Sequence, residues 1–352
     1  MTVQEPEPDP SSPGSEAVGR PPLAVSFRFL LGVYVAVPLT IVLQLLDAAV
    51  WGGVLRIAPL DERAPTVWAY VGMGLPHVAV SSVMLATNAE YLRRFRTRVL
   101  GTLLFIGAFF AVARQLPYEV AFALLGVTTV VHVFLQQMGI GRAFCRCDER
   151  WYAAWTWTSV GVGCLLYNRI YLAEALGSAG RSTFDVAVGG TAAIHAVAVA
   201  RCLRTTTSAR GRAFLWANTA MVLAGVYLHA VGWVFLAVLA PRVVHDLTAF
   251  GFYAVHDHNR HGPKPRNAVF AVTRRLGIPA VCVAPLLGIL LTGAVHRWAE
   301  PALGGAVRVV TGRTPAEPIA IYLVVALMLL HYSTEAVTWR RGSPYREFVP
   351  VA

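Results

Sequence analysis

Residues 318–339, PIAIYLVVALMLLHYSTEAVTW, read as a membrane-spanning helix that carries chemistry towards one end. About twenty consecutive, mostly apolar residues are what a helix needs to cross the roughly 30 Å hydrocarbon core. His331 and Glu335 interrupt this run four residues apart, so both project from one helix face on consecutive turns. Ionisable groups at membrane depth are costly and need partners, which makes them functional-site candidates by default. The pairing suits metal ligation, an acid–base couple or a satisfied pair bridging helices.

The same grammar recurs along the chain. Composition is 56% hydrophobic and only 14% charged, against about 25% charged for soluble domains. Mean hydropathy is +0.56. These values predict an all-α, polytopic integral membrane bundle of about ten transmembrane helices, near 23–50, 66–88, 99–116, 119–140, 153–173, 184–202, 213–239, 241–257, 276–295 and 318–339. Pro241, a favoured first-turn residue, is expected to open the eighth span, or else to mark a kink continuing the seventh. Residues 1–22, rich in Pro, Ser, Gly and Glu, read as a disordered tail and not a signal peptide. Residues 23–340 form the helical domain and 341–352 a C-terminal tail.

The net charge of +11 is carried almost wholly by arginine, with Lys264 the only lysine. No basic stripe with interleaved aromatics is present, so nucleic acid is excluded as a partner. Segments 93–98, 142–150, 201–212, 260–275 and 340–346 hold 19 of the 30 Lys and Arg. Ten spans put all five segments on one side, and the positive-inside rule makes that side, and both termini, cytoplasmic. The expected location is the cell membrane. The five cysteines form no CxxC, and Cys145-x-Cys147 reads as a loop pair in a reducing compartment.

Other histidines share this setting. His132 has Gln136 on its face, and His77 follows Gly74-Leu-Pro76, a broken stretch tolerated where it lines a protein cavity. His245 and His256 are eleven residues apart, three turns, which returns to nearly the same face, and Asp246 and Asp257 repeat the spacing. His132, His245, His256 and His331 are therefore expected in one cavity about 10 Å across, with His77 as a further ligand. Imidazoles with a carboxylate suit iron or copper. Gln136, Asp257 and Glu335 are the expected polar partners and acid–base groups. His229 reads as an interhelical histidine and His261 as part of a polar cap. His195 and His296 show no polar companion in sequence.

As a set, His132-x3-Gln136-x2-Gly139, His245-x7-Tyr253 with His258-Asn259-Arg260, and His331-Tyr332-x2-Glu335-x3-Trp339-Arg340 with Arg346 resemble a family of histidine-rich, multi-spanning bacterial membrane proteins. That family includes a diazo-forming membrane enzyme of alazopeptin biosynthesis. The resemblance implies a small-molecule substrate of specialised metabolism and adds Tyr253 to the catalytic candidates. It also implies a metal-free alternative, in which nitrite-derived nitrogen is joined to an amino-acid amine. Gly74-Leu-Pro76-His77 is similar to part of the membrane carotene-cleaving oxygenases. Three functions follow as expectations: a membrane metal oxidoreductase acting on a small metabolite or lipid, a diazo-forming enzyme with nitrite as co-substrate, and a proton-coupled transporter. The sequence does not indicate an oligomeric state.

Overall fold

The computed structural model describes residues 22–56, 74–113, 115–173, 175–314, 319–340 and 342–352. Most of the expected N-terminal tail and the start of the expected second span lie outside these residues. The chain is 81% helix with no strand among the described residues. Its helices are α1 (Phe27–Trp51, irregular in its middle and at its end), α2 (Leu75–Thr87), α3 (Ala89–Ala113), α4 (Tyr118–Gly141), α5 (Glu149–Tyr171), α6 (Ser178–Thr205), α7 (Ala209–Ala230), α8 (Val234–His261), α9 (Ala268–Arg275), α10 (Ala280–Thr311) and α11 (Ala320–Thr338).

Each expected span meets a helix, but among the described residues seven helices are long and apolar enough to cross a membrane: α1, α3, α4, α6, α7, α8 and α10. At thirteen residues α2 covers about 20 Å, α11 is also short, and α5 is too polar. Other boundaries differ from the expectation. Pro241 does not open a helix. It lies inside α8, and the break before it falls at Val231–Trp233. The arginine segment 93–98 is helical, within α3, and part of 260–275 forms the short helix α9.

Pro241 lacks the N–H that would close a helical bond and crowds the preceding turn. The acceptor that loses its helical donor is Ala237 O, and Tyr167 of α5 donates to the neighbouring Val238 carbonyl at 3.2 Å. The helix that carries Pro241 is the central one. Of its apolar window 61% is buried, against 11% for α3. Helices α1, α2, α4, α7 and α10 pack around α8, and α11 packs on α2 and α3. The crossing of α10 over α2 depends on Gly288: a Cβ there would lie 2.8 Å from the Pro76 carbonyl oxygen. Small residues of this kind let membrane helices approach closely, and here the approach backs the turn that carries His77.

The C-terminal residues are not a loose tail. Val25 and Val351 form a bridge, Phe27 N–H donates to Ala352 O at 2.9 Å, and the Asn259 amide donates to Phe348 O and Leu23 O at 2.8 Å each. Tyr345 is fully buried beneath this clasp. About 100° round α4 from Gln136, Tyr34 of α1 hydrogen-bonds Gln137 and Asn218, tying α1, α4 and α7.

Candidate metal centre

Four helices deliver the site. α2 contributes His77, α4 His132 and Gln136, α8 His245, Asp246 and Tyr253, and α11 His331, Tyr332 and Glu335. Two overlapping groups result: His132, His245, His331 and Glu335, and His77, His245 and Asp246. Within each, one ligand atom per residue lies within 4.8 Å of the others. Except for His132, whose side chain is 9% exposed, these groups are almost wholly buried.

The nitrogen geometry is the informative part. His77 Nε2 lies 3.1 Å from both His331 Nε2 and His245 Nε2. Ligand nitrogens at about 2.0–2.1 Å from one ion are separated by about 2.8–3.0 Å at octahedral and about 3.3–3.4 Å at tetrahedral angles. Tautomers, assigned from the hydrogen-bond network, sharpen the point. Ser81 Oγ donates to Val78 O at 2.9 Å, so its contact of 2.7 Å with His331 Nδ1 makes that nitrogen the donor. His331 Nε2 then carries a lone pair. If neutral His77 turns an Nδ1 proton towards Asp246 Oδ1, 3.0 Å away, its Nε2 opposes the His331 lone pair. The other tautomer opposes a lone pair to the Asp246 carboxylate. A cation among these atoms removes the conflict in the first arrangement.

Several further atoms support that reading. His77 Nδ1, His132 Nε2, His245 Nδ1 and both Asp246 oxygens are buried without a hydrogen-bond partner of proper geometry, despite short separations. The Asp246 carboxylate has His77 as its near neighbour at 3.0 Å, and buried charges are normally paired or bound to metal. The residues present fit a transition-metal ion: His132, His245, His331 and Glu335 as ligands, with His77 joining them or holding a second ion with Asp246. Ser81 then orients a ligand ring through its far nitrogen.

Glu335 links the histidine cluster to an open cavity. Tyr253 donates to its Oε1 and Gln136 to its Oε2 at 2.6 Å, while His132 Nε2 lies 3.3 Å and His331 Nε2 3.7 Å from Oε2. Tyr332 stacks on His132, with centroids 4.5 Å apart, and is anchored by Thr129 at 2.7 Å. His132, Gln136 and Glu335 line a cavity of about 1330 Å³ between α3, α4 and α11.

Of the residues expected from the sequence, the structure brings together His77, His132, His245, His331, Glu335 and Gln136, together with Tyr253, which the resemblance implied. His256 and Asp257 are elsewhere. His256 bonds Tyr91 at 2.8 Å and Asp257 at 3.0 Å and stacks on Tyr345. Eleven residues restore the helix face, but they also advance about 16 Å along the axis, so a shared face is not a shared depth. Asp246 was legible only as an echo of Asp257. Ser81 and Tyr332 carried no signal beyond lying one turn from His77 and beside His331.

Three further histidines have partners away from this site. His229 meets Asp185 at 3.4 Å and His261 stacks on Phe270. His195, without a companion on its own helix, finds Thr158 of α5 at 3.0 Å, an interhelical partner that spacing along one chain segment cannot show. Cys145 and Cys147 do not form a ligand pair. Cys147 Sγ lies 3.2 Å from Cys202 Sγ, while Cys145 donates to Gly211 O at 3.5 Å. Burial pushes the Cys145 thiol up to about 12, which keeps it protonated. No protein-family model, curated protein or solved structure matches this chain.

Proposed function

We propose that this protein is an integral-membrane, metal-dependent oxidoreductase whose centre is held by His132, His245, His331 and Glu335, with His77 and Asp246 completing it. The observation that carries the reading is the set of imidazole nitrogens 3.1 Å apart, of which His77 and His331 oppose lone pairs when neutral His77 holds its proton towards Asp246. A carboxylate among imidazoles favours iron, with copper the alternative. When bound, such an ion supplies electron transfer or activation of a small oxidant. The chain's own part is to hold the ligand rings, exclude water behind α8, and keep a carboxylate with a tyrosine hydroxyl beside the cavity for proton handling. The substrate is a small metabolite or lipid.

A second reading is favoured by one feature, the Tyr253–Glu335–Gln136 chain at the cavity edge. It would serve a diazo-forming reaction, in which one amine and one nitrous acid give a diazo group and two waters. Acid–base groups would protonate nitrous acid, release water and then take protons from the nitrosated amine. A proton shared among the imidazoles would there take the place of the ion.

Elemental analysis of detergent-purified protein separates the two. We expect iron or copper at about one or two atoms per chain, the number of overlapping ligand groups, and turnover that requires the metal. Metal-free protein that converts an amine and nitrite would replace the first reading with the second.

We also assign both termini to the cytoplasmic side of the cell membrane, on the arginine asymmetry and a ten-span topology. Reporter fusions after Arg98 and Arg212 are expected to report cytoplasm and one after Arg181 the outside. An external signal after Arg212 sinks the assignment.

A further inference from the structure

The cavity leading to His132 and Glu335 has a polarity of its own. α3 and α4 form its walls and α11 its floor, with Val127, Val131, Leu135 and Leu329 among its apolar lining. Phe105 and Leu135 on the two walls are themselves exposed to the surroundings of the helices, so the rim between α3 and α4 faces the lipid side. At one end the character changes. Arg142 follows the last residue of α4, Arg340 follows the end of α11, and Arg98 of α3 and Arg346 complete the lining there. Contacts between Thr102 and Ser333, and between Phe110 and Tyr322, show that α3 runs antiparallel to α11, which brings Arg98 to the same end.

Among the described residues, four cations thus face a cavity whose lining contains one acid, Glu335, and that acid is already engaged by Tyr253 and Gln136. Arg142 is paired with Glu149 at 2.7 Å, but both side chains are more than half exposed, and surface pairs of this kind are worth little. Arginine clusters at a membrane-facing opening attract anionic groups. Separation along the helices sets the reach: Arg142 lies about 15 Å along α4 from His132, and Arg340 about 8 Å along α11 from Glu335.

We propose that this cavity binds an anionic amphiphile, its head against Arg98, Arg142, Arg340 and Arg346 and its apolar chain carrying the reacting position to His132 and Glu335. The chemistry at the far end rests on the metal-centre reading, whereas the binding rests on the cavity alone. The shared chemistry is an anionic head on an apolar chain, available from a free long-chain carboxylate or from an anionic phospholipid.

The test is displacement of a fluorescent long-chain fatty acid from the purified full-length protein in a neutral detergent. Palmitate and phosphatidylglycerol are compared with hexadecanol, which keeps the chain and removes the charge, and with butyrate, which keeps the charge and removes the chain. Displacement by palmitate identifies a free acid and displacement by phosphatidylglycerol a lipid; hexadecanol and butyrate are expected to be weaker by about tenfold or more. The double variant Arg98→Gln/Arg340→Gln should weaken binding of the charged displacer by about tenfold and leave hexadecanol unchanged. Both side chains are exposed, so the fold should not depend on them. Hexadecanol binding as tightly as palmitate, or a double variant that binds like wild type, overturns the proposal. Repeating the titration on chelator-stripped protein keeps the two ideas apart: a protein found to hold no metal but to bind the amphiphile refutes the metal centre and leaves the cavity assignment standing.

Discussion

Exchanging His245 for alanine is expected to remove nearly all bound metal and turnover, whereas the same exchange at His256 is expected to leave metal content at the wild-type level. The contrast follows from position alone. His245 belongs to both overlapping ligand groups, and its Nε2 lies 3.1 Å from that of His77. Losing it opens both groups at once. Residues that merely orient ligands are worth about 10–100-fold in affinity or activity, so loss of a shared ligand should cost more than about 100-fold. His256 lies on the same helix with a comparable burial and a neighbouring aspartate, but its ring is spent on Tyr91, Asp257 and Tyr345. Its removal strands a buried hydroxyl and a carboxylate oxygen, at a stability cost of about 1–3 kcal/mol each, less any repair by water. Metal per chain and thermal unfolding measured on both variants check this. A His245→Ala protein that keeps its metal removes the centre described here, and a His256→Ala protein that loses it restores a single larger site.

That contrast also shows what the sequence could and could not tell. The helical class was legible because apolar runs of spanning length leave few alternatives, and His331 with Glu335 was legible because four residues fix both a face and a depth. His77 was legible through the broken turn at Gly74–Pro76. Periodicity reports a face angle and loses depth over several turns, which is why His256 and His245 looked equivalent. Helix ends were less legible at α8, since Pro241 serves equally as a first-turn residue or an internal kink. Partners contributed by other helices were not legible at all. Ser81 fixes the tautomer of His331 and Tyr332 clamps His132, yet each is an ordinary residue until α2, α4 and α11 are brought together. The arginines at the cavity end read in sequence only as topology signals, because their convergence depends on α3 running antiparallel to α11.

Glu335→Gln is expected to lower turnover by about 100-fold or more, equivalent to about 2.7 kcal/mol of barrier, while leaving folding nearly intact. The carboxylate accepts from Tyr253 on one oxygen and from Gln136 on the other. In the variant, the new amide oxygen can still accept from Tyr253. Its new NH2 group faces Gln136, whose own amide can rotate to offer its oxygen, which otherwise has no partner. Hydrogen bonding is therefore preserved, and with it insertion and thermal stability. What is lost is a charge and a proton-accepting group 3.3 Å from His132 and at the wall of the cavity. Metal content then assigns the residue its role. If Oε2 is a ligand, bound metal falls together with turnover, since a neutral amide is a poor replacement for a carboxylate. If Glu335 handles protons only, metal stays and the loss is confined to turnover, with substrate affinity little changed. A Glu335→Gln enzyme that turns over at the wild-type rate would exclude the carboxylate from both roles and leave the imidazoles of His77, His132, His245 and His331 to carry the chemistry with the Tyr253 and Tyr332 hydroxyls beside them.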